Sequence, residues 1–198
     1  MKRKFEGKCK VHHENHLTSE GAIRLNNFCS IATSDYTVQE YRGKTVASMV
    51  ISLGLHAGLR VAEIANLKVG DCHLESSRAC IIVRNSKGLN RGKVMIENDL
   101  RIRLKSFIAA KRFLGENVSN DACLILSSRN RPFTTRGIQM LVKRLAGEAG
   151  LPVYFTLRCL RHTFAVSQLF KTKNLSFVQR QLRHSNICST ALYAVMRD

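Results

Sequence analysis

The chain has 198 residues, 44% of them hydrophobic, with 32 Lys and Arg against 14 Asp and Glu and a formal net charge of +18. That length carries one domain with a full core, and that apolar fraction excludes a disordered polymer. The charge excess points away from a small-metabolite enzyme and toward a polyanionic partner; no apolar run is long enough for a transmembrane helix, and none follows Lys2, Arg3 and Lys4 as a secretory signal requires.

In chain order, residues 1–16 are basic, polar and aperiodic, and are predicted to form a flexible arm. Leu17, Thr18, Ser19 and Glu20 read as a helix start, because a hydroxyl at Thr18 or Ser19 caps free N–H groups and Glu20 suits the positive end of the helix dipole. After Lys44, the residues Val46, Met49, Val50 and Leu53 fall on one face of a long helix that Gly58 breaks. A short helix from about Leu59 carries Val61, Ile64, Ala65 and Leu67 and ends near Gly70 and Asp71. Residues 79–83 and 93–96 are β-branched runs, and the segment between them is basic and rich in turn residues, which predicts a hairpin. Leu100, Leu104, Phe107 and Ile108 mark the next helix. Residues 123–126 fit a short strand or an extended packing segment. Ile138, Leu141, Val142 and Leu145 mark a helix stopped by Gly147 and Gly150, and Pro152 keeps the following segment extended. The last 43 residues read as three helices, roughly 158–170, 177–183 and 188–195. The predicted fold class is mainly α with a small antiparallel β-sheet or hairpin.

Seven cysteines, Cys9, Cys29, Cys72, Cys80, Cys123, Cys159 and Cys188, are scattered, and no Cys-x-x-Cys pair occurs. Most lie in apolar runs, where free Cys behaves as a small hydrophobe, so the pattern predicts a reducing, cytoplasmic setting. Cys9, His12, His13 and His16 have the residue types of a metal site, but within a polar arm they read as solvated side chains, and no metal is expected.

Four places set a polar or cationic residue where a helix or hairpin begins or ends: Arg60, Lys87, Arg158 with Arg161, and His184, with Tyr193 following. Singly, each reads as an ordinary surface group. As an ordered set, carried by Ala57-Gly58-Leu59-Arg60-Val61-Ala62-Glu63-Ile64-Ala65-Asn66-Leu67, Leu160-Arg161-His162-Thr163-Phe164-Ala165, Val178-Gln179-Arg180-Gln181-Leu182-Arg183-His184-Ser185 and Ser189-Thr190-Ala191-Leu192-Tyr193, they resemble the tyrosine recombinases, the phage-integrase family. The resemblance runs from about Leu17 to Tyr193 and implies that family's catalytic-domain architecture over residues 17–198, with no separate N-terminal core-binding domain.

Residue by residue, the resemblance implies that Arg60 and Arg161 clamp a scissile phosphate, that Lys87 protonates the leaving oxygen, that His184 hydrogen-bonds the phosphate and that Tyr193 is the nucleophile. Glu63 matches a buttressing carboxylate, and His162 a supporting residue. Arg158 stands where the family most often has histidine, and it donates hydrogen bonds but is no base near neutral pH. Arg183 stands where the family has glycine, and only five residues follow Tyr193. The resemblance implies a site-specific recombinase or integrase of a mobile element, which cuts and rejoins DNA through a 3′-phosphotyrosyl link without metal, ATP or other cofactor. Its expected partner is double-stranded DNA, bound by four protomers on two duplexes that are monomers or dimers off DNA; no membrane partner is expected. Arg101, Arg103, Arg129, Arg131 and Arg136 are candidate backbone contacts. Two other readings stay open: a catalytically impaired relative that occupies DNA sites without strand exchange, and a topoisomerase-like activity using the same covalent chemistry.

Overall fold

The computed structural model describes residues 21, 38–76, 78–84, 91–152 and 154–183. The predicted arm, the helix start at Leu17 to Glu20 and the helix at 188–195 lie outside the described residues. The elements in order are α1 (Val38–Ala57), α2 (Val61–Ala65), a 3-10 turn (Val69–Asp71), β1 (Cys72–His73), β2 (Cys80–Arg84), β3 (Arg91–Met95), α3 (Asn98–Phe113), α4 (Thr135–Glu148), α5 (Leu157–Thr172) and α6 (Leu175–Leu182). The mainly α class with a small antiparallel sheet is therefore observed.

Helix α1 is the central column. Val46, Met49, Val50, Ile51, Leu53 and Ala57 are all buried, more than one face, because α1 packs on α5, α3 and α4 together. It also begins earlier than the apolar period indicates. Its first turns are polar and are held from outside: Arg42 Nε lies 2.7 Å from Glu116 Oε1, and buried Lys111 pairs with the same carboxylate. A tertiary ion-pair cluster extends the helix where periodicity is silent.

Gly58 ends α1. Its φ of +59° is in the left-handed region, and a Cβ there would lie 2.5 Å from Phe164 Cδ1. The chain then reverses into α2, which Glu63 caps by accepting from the Arg60 N–H at 2.7 Å. The turn thus delivers Arg60 and Glu63 to one corner of the core.

The sheet has order β1-β2-β3, and both pairings are antiparallel. In the hairpin Ile81 faces Val94 and Val83 faces Gly92. Buried Asp71 fastens the β2 end, accepting from Arg84 Nη2 at 2.7 Å. Residues 123–126 prove to be an extended packing segment, tied by isolated bridges from Lys68 to Cys123 and from Leu126 to Pro132, with Leu124 and Ile125 fully buried. Helix α4 runs through Gly147 to Glu148; it is capped by Thr134 Oγ1, which accepts from Gly137 N at 3.0 Å, and followed by Gly150 at φ +66°. Helix α6 starts at Asn174, whose side chain accepts from Phe177 N at 2.9 Å.

Candidate active site

Helix α5 carries Arg158, Arg161 and His162 within its first two turns, and the turn after α1 carries Arg60 and Glu63. The packing of α5 on α1, and of α6 on α5, brings these stretches together with the end of α6. The meeting point is Glu63. Oε1 of Glu63 accepts from Arg60 Nη1 at 2.8 Å and from Arg183 Nε at 3.2 Å. Oε2 accepts from the Arg60 backbone N–H at 2.7 Å and from Arg183 Nη2 at 2.6 Å, with Arg161 Nη1 3.8 Å away. One carboxylate therefore organises three guanidinium groups from stretches more than a hundred residues apart.

The arginines differ in exposure. The Arg60 side chain is 45% exposed, whereas that of Arg161 is 8% and that of Arg183 is 13%. Arg161 also donates through Nη1 to the Gly58 carbonyl at 2.5 Å and through Nη2 to the Leu182 carbonyl. It thus ties the turn after α1 to the end of α6. Arg60 Nη2 reaches the Arg183 carbonyl at 3.4 Å. Arg158 is exposed on the first turn of α5, where no acidic residue balances the positive helix end. Its Nε donates to His162 Nε2 at 3.2 Å, so that ring nitrogen acts as an acceptor.

The electrostatics follow from this crowding. Burial pushes the Glu63 carboxyl up, but the charge and hydrogen bonds of Arg183, the Arg60 N–H and the charge of Arg161 outweigh it and hold the group below its usual value. Burial lowers the Arg183 guanidinium from its ordinary value against the opposing pull of Glu63, and Arg60 adds like-charge repulsion. Three guanidinium groups around one carboxylate leave a positive excess. Arg60, the exposed member of the cluster, presents that excess to an anion at the solvent boundary.

Of the sequence-predicted site residues, Arg60 and Arg161 are brought together around Glu63, and Arg158 lies one helical turn from Arg161. Lys87, His184 and Tyr193 lie outside the described residues, as does the group of Cys9, His12, His13 and His16. Among the arginines expected at a DNA backbone, Arg129, Arg131 and Arg136 are exposed. Arg101 instead turns back to donate to the Leu74 carbonyl at 2.7 Å, and Arg103 pairs with Asp99 at 2.9 Å.

Two further residues belong to the site, Arg183, which the sequence marks only as a departure from glycine, and Gln181, which it does not mark. Arg183 adopts φ +55°, the left-handed conformation that costs an L-residue about 1–2 kcal/mol, and its pair with Glu63 offsets that strain. Gln181, buried at the end of α6, accepts from the Met95 N–H at 3.1 Å.

The chain resembles known proteins over this whole region. The tyrosine recombinase XerA of Thermococcus kodakarensis is 31% identical over 147 residues, which are 73% of this chain and 49% of that protein. The chain spans about half the length of the curated relatives it matches. A crystal structure of XerA recombinase superposes with a TM-score of 0.73 at 30% identity, covering 90% of this chain and 59% of the other. A crystal structure of XerH site-specific recombinase bound to its difH substrate shares the fold, with a TM-score of 0.73 at 21% identity, over 91% of this chain and 50% of the other. The model of the phage integrase family matches residues 15–198. With the two arginines of the resemblance gathered on one carboxylate in this fold, the chain belongs to the phage integrase family, the tyrosine recombinases.

Proposed function

We propose that the chain is the catalytic domain of a site-specific DNA recombinase that cuts and rejoins strands through a 3′-phosphotyrosyl intermediate, with Arg60, Lys87, Arg158, Arg161, His184 and Tyr193 as its working residues. The observation that carries this reading is the convergence of Arg60 and Arg161, 101 residues apart by their numbers, on Glu63. The family and the DNA-bound XerH neighbour support DNA as the partner.

Planar guanidinium forks meet the non-bridging oxygens of a phosphate in pairs, and preorganised donors of this kind each contribute about 3 kcal/mol to transition-state stabilisation. A phenol with an ordinary pKa near 10 is only about 0.1% ionised at neutral pH, so a cationic surrounding raises its nucleophilic fraction. The Tyr193 proton passes to water, and the phenolate Oη attacks phosphorus, forming the P–O bond to tyrosine as the P–O5′ bond breaks. Lys87 gives a proton to the leaving 5′-oxygen, and Arg158 and His184 donate to the phosphate. A 5′-hydroxyl from another strand reverses the step, so bond energy is kept without ATP or metal. Strand exchange of this kind uses four protomers on two duplexes.

A second reading, a DNA-binding relative that does not cut, is favoured by one observation: Arg161 is committed to two carbonyls and sits almost entirely inside the protein. A nicked suicide duplex, carrying a site selected from randomised duplexes by binding, separates the two. The recombinase reading expects a covalent protein–DNA adduct that Tyr193→Phe abolishes while binding persists. Tight binding without adduct by the unmodified chain establishes the second reading instead. Relaxation of supercoiled DNA without strand exchange points to the topoisomerase-like activity.

A further inference from the structure

Among the described residues β3 is one of the two edge strands of the sheet, and it is held in place by α6. Two side chains flanking Leu182 fasten it from the side of α6. Gln181 Oε1 accepts from the Met95 N–H at 3.1 Å. The stem of Arg183 lies against Gly92 so closely that a Cβ on Gly92 would fall 2.9 Å from Arg183 Cγ and closer still to Cδ. Glycine at position 92 is what allows this approach.

The same Arg183 spends its guanidinium on both oxygens of Glu63 and on the Gln181 carbonyl at 2.5 Å, and its own carbonyl accepts from Arg60. One side chain thus spans from the hairpin to the arginine cluster. Its burial and its full set of partners make it a poor phosphate ligand. The left-handed backbone at Arg183 aims the side chain along this path, a conformation normally left to glycine. On the other strand, Arg84 is already fastened to Asp71. The strands on both sides of residues 85–90 are therefore anchored, β2 to the 3-10 turn and β3 to the cluster.

We propose that Arg183 and Gln181 are positioning residues that clamp β3 to the Arg60–Glu63–Arg161 cluster, so that the strands carrying Lys87 hold a fixed relation to the bound phosphate. This rests on the reading of Lys87 as the proton donor. Proton transfer needs heavy atoms within hydrogen-bond reach, and displacement by about 1 Å costs up to roughly a hundredfold in rate. A clamp on β3 acts on that step, whereas a residue serving only the phosphate cradle acts on bond cleavage whatever the leaving group.

The test uses the full chain and single-turnover cleavage of the suicide duplex, with either oxygen or sulfur as the bridging 5′ atom. Sulfur leaves without a proton. Arg183→Gly is expected to lose about tenfold more rate on the oxygen duplex than on the sulfur duplex. Gly92→Ala is expected to show the same selective loss, because its Cβ displaces the Arg183 stem, and to add nothing once Arg183→Gly is present. Gln181→Leu, which keeps the backbone as it is, should show a smaller loss of the same kind. Equal losses on both duplexes, or no loss on either, overturn the clamp. Lys87→Ala separates the two levels. If sulfur rescues Lys87→Ala but not Arg183→Gly, the clamp fails and the proton-donor reading stands. If sulfur fails to rescue Lys87→Ala, the proton-donor reading itself fails.

Discussion

Arg183 Nη2 lies 2.6 Å from Glu63 Oε2, a contact between residues 120 positions apart that joins the end of α6 to the start of α2. Glu63 is at once the cap of α2, the partner of exposed Arg60 and the counter-charge of two interior arginines. Its removal should therefore be felt in stability and in function together.

Glu63→Ala leaves Arg161 and Arg183 buried without a counter-charge, which costs about 3 kcal/mol when one partner of an interior pair is lost. Glu63→Gln keeps the volume and one acceptor oxygen and should cost less. Urea unfolding of the three proteins checks the order. Unchanged stability in Glu63→Ala means that Arg161 and Arg183 find other partners.

The same carboxylate predicts a pH dependence. Its folded value lies below the ordinary 4.5, so its stabilisation is complete above that pH and is lost as pH falls through the lower folded value. The stability gap between the unmodified chain and Glu63→Gln is expected to be constant near neutrality and to close in acid. Denaturation midpoints measured across pH 3 to about 7 read this directly; a gap that closes well above 4.5 contradicts a depressed carboxyl.

Gly58→Ala combines an unfavourable left-handed backbone with a methyl group 2.5 Å from Phe164 Cδ1. About 2–3 kcal/mol of destabilisation is expected. The Gly58 carbonyl receives Arg161, so cleavage should fall further than stability alone accounts for. Thermal melts set beside adduct yield at a temperature where both proteins are folded distinguish the two effects.

Arg158→His tests the departure at the start of α5. Arg158 is exposed and holds only one described partner, His162, so the substitution should leave the fold intact. A histidine there regains a group that can accept a proton near neutral pH, and adduct formation should be preserved or faster. A large loss at unchanged melting temperature shows that the site works through the guanidinium.

Much of the fold was legible because buried faces impose a period. Val46, Met49, Val50 and Leu53 announce α1, and Ile138, Val142 and Leu145 announce α4. The first turns of α1 were not, since Arg42 is held there by Glu116 rather than by an apolar stripe. Nor was β1, whose two residues are too few to show alternation. In the site, Arg60 and Arg161 stand in local patterns that can be read, and chain packing brings them together. The link from Arg183 to Gly92 had no local signature: it depends on a backbone angle at one residue and the absence of a side chain at the other.

The bond from Met95 to Gln181 also bears on solubility. An outermost strand offers backbone amides that a second molecule can use as a template for added strands. By occupying one of those amides with a buried side chain, α6 withdraws a donor that edge-to-edge pairing would use. Preparations lacking that glutamine amide should therefore precipitate sooner than the parent chain.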